Sequence, residues 1–238
     1  MESSTQIPDQ ALVLAFETAT AVSSVAVFRG PKLLGMIEFH TDKLHAKLLT
    51  VMVDQLLRDL GLKPTDLSAV GLSSGPGSYT GLRVGVSTAK GLCMALDIPL
   101  LSMGSMEALA WSVQDLAEEF GAWICPMVDA RRMEVFCSMF DQHMQVQSQV
   151  EAKVVEPGAF EAELALRRIL FVGDGAEKCR GLLQHPNAIV LGGRLSTAAC
   201  MGKGFWGKLQ KGQIEDLVAF EPYYLKDFVA TLSQKKYL

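Results

Sequence analysis

No apolar run in this chain comes near the roughly 18 residues that cross a bilayer as a helix, and the first ten residues, Met1 to Gln10, are polar. The expectation is a soluble, cytoplasmic protein without membrane contact. There is no surplus of positive charge: 22 Lys and Arg stand against 26 Asp and Glu, a net charge of -4 with a pI near 5.6. That balance argues against holding nucleic acid by a basic surface of its own, so any RNA contact needs help from another chain. Cysteine never occurs as CxxC, and Cys93, Cys125, Cys137, Cys179 and Cys200 are odd in number and widely spaced, as expected of reduced thiols in a cytosolic protein. Histidine is scarce. His40 and His45 have no second histidine three or four residues further along the same helix, and His143 and His185 stand in polar surroundings, so neither a metal site nor a Ser-His-Asp order can be built. The glycines match neither the dinucleotide fingerprint nor a Walker loop.

What is present is ordinary globular composition, 49% hydrophobic and 20% charged over 238 residues, enough for one large or two small domains. The most distinctive stretch is Ser74-Gly75-Pro76-Gly77-Ser78-Tyr79-Thr80-Gly81-Leu82-Arg83-Val84-Gly85. The apolar run Ala69 to Ser73 before it reads as a buried strand. Gly75-Pro76-Gly77 is a committed turn, Gly81 to Leu96 has helical spacing, and Ser78 or Thr80 can cap that helix. The start of such a helix can hold an anion, and a plain tight turn is the duller account. Gly81, Gly85 and Ala89 recur every four residues and so share one helix face. Each helical glycine costs about 1 kcal/mol against alanine, so the strip implies close approach of another backbone, internal or from a partner.

Taken in order, the chain opens with a three-strand meander, Ala11 to Phe16, Ser23 to Phe28 and Lys32 to Phe39. A helix is expected over Asp42 to Leu60, with Leu44, Leu48, Val51, Leu56 and Leu60 on its apolar side and Gly61 as its stop. After the glycine loop and its helix come a strand, Ile98 to Leu101, and a helix, Met106 to Phe120. A second unit repeats the order. Trp123 to Val128, Glu134 to Phe140 and Gln145 to Val155 are extended, and Pro157 to Leu166 is helical. Ile169 to Val172 is a strand entering Gly173-Asp174-Gly175, and helices cover Glu177 to Leu183 and Ser196 to Gly207. Two α/β lobes, residues 1–120 and 121–238, each led by strands, imply a duplicated fold with a cleft between them.

Three groups can carry chemistry. Glu17-Thr18-Ala19-Thr20 ends a strand with a carboxylate beside hydroxyls, a set that suits a metal-bound phosphate or a solvated turn. Asp129 with Arg131 and Arg132 can clamp an anion or make a salt-bridged hairpin. Gly173-Asp174-Gly175 is a third candidate, a loop that can meet phosphate or nucleotide.

The motifs Phe16 to Thr20, His45 through Leu48-Leu49 to Leu57, Ser74 to Gly85, Asp129-Ala130-Arg131 with Glu134-Val135, Gly173-Asp174-Gly175 and Pro222-Tyr223-Tyr224-Leu225-Lys226 resemble the TsaB family. Its members are accessory subunits of the bacterial machinery that makes threonylcarbamoyladenosine in tRNA. The resemblance implies an actin-like fold of two ribonuclease-H-like lobes. It also implies a non-catalytic role: binding and activating the catalytic paralogue TsaD, with the ATPase TsaE as a further partner, homodimers when TsaD is absent, and tRNA met only through the complex. The pairing surface is expected on the two helices, at His45, Leu48, Leu49, Met52, Gly81, Gly85 and Ala89. Nucleotide or anion contacts are expected at Glu17, Thr18, Asp129, Arg131, Gly173 and Gly175. Two positions depart from the family pattern: Glu17, where aspartate is usual, and Ala46, where serine is common. The catalytic relative binds metal through His-x-x-x-His. Ser105 and Leu109 stand in that place here, so no cofactor is expected in the isolated chain, with ATP and a metal belonging to the complex. A glycoprotease-like metallopeptidase, or an ATPase or kinase of the same superfamily, is the alternative.

Overall fold

The computed structural model describes residues 10–20, 22–40 and 45–225. Strands β1 (Leu12–Glu17), β2 (Ser23–Arg29) and β3 (Lys32–Phe39) form the meander, followed by helix α1 (His45–Asp59), β4 (Ala69–Ser73), α2 (Tyr79–Leu96) and β5 (Leu100–Met103). They make one five-stranded sheet of order β3-β2-β1-β4-β5, antiparallel on the meander side and parallel from β1 to β5. The second unit contains β6 (Trp123–Asp129), β7 (Glu134–Phe140), β8 (Val146–Val154), α5 (Glu161–Leu166), β9 (Ile169–Val172), α6 (Asp174–Cys179) and β10 (Ala188–Leu191). Its sheet order, β10-β9-β6-β7-β8, repeats the first with the same strand directions. This is the actin-like, duplicated ribonuclease-H-like architecture.

The first strand explains why the sheet is central. Leu12, Leu14 and Phe16 face α1 and α2, while Val13 and Ala15 face the opposite layer, so LVLAFE is apolar on both sides and buried throughout. The opposite layer comes from the far end of the chain. Helix α7 (Gly202–Gln210) and the 3₁₀ turn before it, Ala198–Met201, bring Ala198, Met201, Phe205 and Leu209 onto Val13, Ala26, Phe28 and Met103. Gly71 in β4 makes this possible, because a β-carbon there would come within 2.5 Å of the Phe205 ring. The chain thus crosses to the second sheet at β6, and after β10 Ala198, Met201, Phe205 and Leu209 pack on the first.

Two short helices join the sheets. The expected single helix over Met106 to Phe120 is divided into α3 (Ser105–Trp111) and α4 (Gln114–Phe120). The Ser112 hydroxyl donates back to the Leu109 carbonyl at 2.6 Å, and the Val113 amide bonds to the Ala110 carbonyl, three rather than four residues back. Met106, Leu109 and Val113 then pack on Ile124, Val128, Leu170 and Val172 of the second sheet. Strand β10, a run of four residues, each only partly buried, pairs with β9 and is not among the strands expected from the sequence. Helix α6 begins earlier than expected, at Asp174.

Candidate functional site

The glycine loop joins β4 to α2 through a cis Gly75-Pro76 peptide, and the hydroxyl of Ser78, not Thr80, caps α2 by accepting from the Gly81 amide. Its glycines do not cradle a ligand. A β-carbon on Gly77 would strike the Ala19 carbonyl, on Gly81 the Thr18 carbonyl, on Gly85 the Thr18 hydroxyl, and on Gly75 the Tyr223 carbonyl. The turn after β1 lies directly on the start of α2, tied by the Ser78 amide donating to the Ala19 carbonyl at 2.6 Å. The backbone that the glycine spacing demanded is the chain's own.

Glu17 and Thr18, expected to meet nucleotide, are thereby sealed under that helix, at 0% and 1% exposure. One Glu17 carboxylate oxygen accepts the Ala19 amide and the other the Ser196 hydroxyl, both at 2.6 Å. Burial pushes the Glu17 pKa up to about 7, against the opposing pull of the hydrogen bonds from Ser196, Ala19, Ser73 and Thr18. Beside it Ser73 and Ser105 share a buried hydrogen bond of 2.8 Å. A carboxyl held this way fastens the returning C-terminal segment to β1. It is not aimed at a phosphate.

The second lobe gathers the other four candidates around Asp174, which belongs to the Gly173-Asp174-Gly175 loop, and Lys178, which the sequence motifs do not include. The Asp174 carboxylate accepts the amides of Asp129, at 2.9 Å, and Gly175, at 2.8 Å. Lys178, one helical turn on, donates to Asp129 Oδ1 and to the Glu134 carbonyl. Partial burial works against ionisation of Asp129. The Lys178 hydrogen bond, the Arg131 amide and the Lys178 charge outweigh it and hold the carboxyl below its usual range. Gly173 and Gly175 are packing positions, since side chains there would press on the Met127 carbonyl and Val135. Arg131 and Arg132 form an exposed turn with φ of 73° and 50°, a conformation that costs non-glycine residues about 1–2 kcal/mol each and is braced here by Asp129 accepting the Arg131 amide. Among the described residues no hydrogen bond or ion pair joins this group to Glu17 or Thr18.

On the two helices the expected pairing residues divide. Leu49, Met52, Gly81, Gly85 and Ala89 all point into the chain's own core, so the small-residue strip is not an outer surface. Leu48 is half-buried, and the side chain of His45 lies outside the described residues, as does Lys226 at the end of the last motif. The outward residues of the helices include Val51, 56% exposed although expected inside, and Gly91 and Met94, the latter 73% exposed, among polar and charged ones such as Asp54, Arg58 and Arg83. Ser105 and Leu109, in the place of the paired histidines, are buried, and neither side chain suits a metal. Among the described residues no group of three His, Cys, Asp or Glu is placed to hold one.

The profile of the family TsaD: tRNA N6-adenosine threonylcarbamoyltransferase matches residues 32–226. The chain belongs to that family. Within it, the sequence is 34% identical over 128 residues to the tRNA threonylcarbamoyladenosine biosynthesis protein TsaB of Bacillus subtilis, covering 54% of each chain. It is 33% identical over 127 residues to the TsaB of Haemophilus influenzae, covering 53% of this chain and 52% of that one. The chain thus spans about half the length of the curated relatives it matches. A solved Pseudomonas aeruginosa protein described as similar to the peptidase YEAZ superposes with a TM-score of 0.78 at 24% identity, covering 91% of this chain and all of that one, which shows the shared fold. The resemblance to TsaB read from the motifs is matched by these family members.

Proposed function

We propose that this chain is a non-catalytic subunit in the biosynthesis of threonylcarbamoyladenosine in tRNA, pairing with a TsaD-type paralogue through the outer faces of α1 and α2 and activating it. The observation that carries this reading is the division of the two helices. Their inner faces are filled by the first sheet, while Val51, Gly91 and Met94 are left uncovered in a family whose relatives carry the names of this modification pathway. Buried Ser105 and Leu109 remove the paired imidazoles a metal-dependent transferase or peptidase would need, and this supports a partner as the seat of the chemistry. ATP, metal, the TsaE ATPase and tRNA then meet the complex and not this chain alone, and homodimers use the same faces when the partner is absent.

Co-expression with a TsaD-type paralogue tests this. The wild-type pair should co-elute, and Met94→Glu with Val51→Glu should elute separately while keeping the wild-type melting temperature. Continued co-elution of the double variant would overturn the assigned surface. Full threonylcarbamoylation of tRNA in cells depleted of this chain would overturn the role.

A further inference from the structure

A cavity of about 500 Å³ contains none of the residues expected to pair with a partner or to meet nucleotide. It lies on the face of the first sheet away from α1 and α2. Phe28 and Leu33 wall it on the β2–β3 side, and Trp111 comes from the helices that join the sheets. Arg194 and Lys203 come from the segment that returns from β10 to α7. That volume suits a small organic ligand. Its charges are unequally satisfied. Lys203 is paired with Asp115 at 2.6 Å and Glu38 is met by His40 at 3.1 Å, so both carboxylates in the wall are engaged. Arg194 has no hydrogen bond or ion pair among the described residues, and it follows Gly193, whose φ of 72° sets the turn that carries it to the rim. An aromatic and aliphatic wall with one unengaged guanidinium matches a planar ring bearing an anionic group, the ring against Phe28, Leu33 and Trp111 and the anion on the planar fork of Arg194.

We infer that this cavity is a binding site for a small anionic ring compound, separate from the helix faces assigned to the partner. Its walls come from both ends of the chain and from the helices that join the sheets, so an occupant would hold the returning segment against the first lobe.

The probe is 8-anilinonaphthalene-1-sulfonate, an aromatic monoanion whose fluorescence rises in an apolar site, used on the full chain. Cys200 lines the cavity, whereas Cys93, Cys125, Cys137 and Cys179 are buried, so the rate of Cys200 alkylation by iodoacetamide reports occupancy at this position. The expected result is saturable binding that slows Cys200 alkylation, with affinity lowered about tenfold to a hundredfold in Arg194→Gln, the range of a lost charge-assisted hydrogen bond. Arg194 is exposed, so this variant should fold normally. Leu33→Ala, which trims the wall without touching charge, should weaken binding as well. Unslowed alkylation at saturating probe, or equal affinity in Arg194→Gln, would overturn the inference and leave the proposed pairing role untouched.

Discussion

Glu17 shows how one residue's surroundings decide its chemistry. Its carboxyl is held at a pKa of about 7 in the folded chain against an ordinary 4.5, because it is fully buried with hydrogen bonds that only partly offset desolvation. Between these values the folded chain keeps a proton that the unfolded chain has lost. Stability therefore falls as pH rises from 4.5 to 7 and levels off above, by roughly 3 kcal/mol at 1.36 kcal/mol per pH unit. Glu17→Gln, which mimics the protonated form, should flatten that slope in denaturant titrations across the neutral range. A wild-type midpoint constant across this range would refute the assignment. Ser78 and Thr80 make a second contrast. The Ser78 hydroxyl accepts the Gly81 amide at 3.3 Å while Thr80 is exposed, so Ser78→Ala should cost about 1 kcal/mol and Thr80→Ala much less, measured by thermal melting.

At the scale of the element, α2 separates two kinds of small residue that look alike in sequence. Gly81, Gly85 and Ala89 lie against the turn after β1 and the first core, whereas Gly91 has no atom within 4 Å of where a β-carbon would stand. Ala89→Leu is overpacking and should lower stability by about 1 to 3 kcal/mol. Gly91→Leu has room and replaces a helical glycine, so it should raise monomer stability by up to about 1 kcal/mol. If α2 is the pairing face, the same Gly91→Leu chain should lose its partner on size exclusion despite melting higher. A Gly91→Leu chain that melts higher and still pairs would move the interface elsewhere.

For the molecule as a whole, the lobes are not independent folding units. The layer over one face of the first sheet is supplied by Ala198, Met201, Phe205 and Leu209 from beyond β10, tied down by the Lys208 ammonium donating to the Ser102 carbonyl and by Ser196 on Glu17. A fragment of residues 1–120 leaves that face bare and should lack a cooperative melt. Phe205→Ala should cost about 3–5 kcal/mol, the range for emptying a buried aromatic site. Hydrogen exchange should show the loss in β1 and β4, far away in sequence, with β6 and β9 retaining more protection. Equal loss in both sheets would argue against this division.

The sequence by itself determined most of the secondary structure, the duplicated order and the family, because these rest on local patterns. Alternating or continuous apolar runs fix strands, and the Ser74 to Gly85 turn chemistry admits little else. It also marks Asp129, Arg131 and the Gly173-Asp174-Gly175 loop, and the signal for Lys178 is its place one helical turn after Asp174. What the tertiary structure alone decided was direction. Glycine spacing says that a backbone comes close to α2, but only the fold says that it is Thr18 and Ala19 of the same chain. Helical period gives α1 an apolar face, yet Val51 proves to lie outside it and Met52 within. The Glu17 to Ser196 bond joins residues 179 positions apart, and no local signal can encode it. A residue's neighbours across a sheet are set by how the layers stack, and that is a property of the whole packed chain.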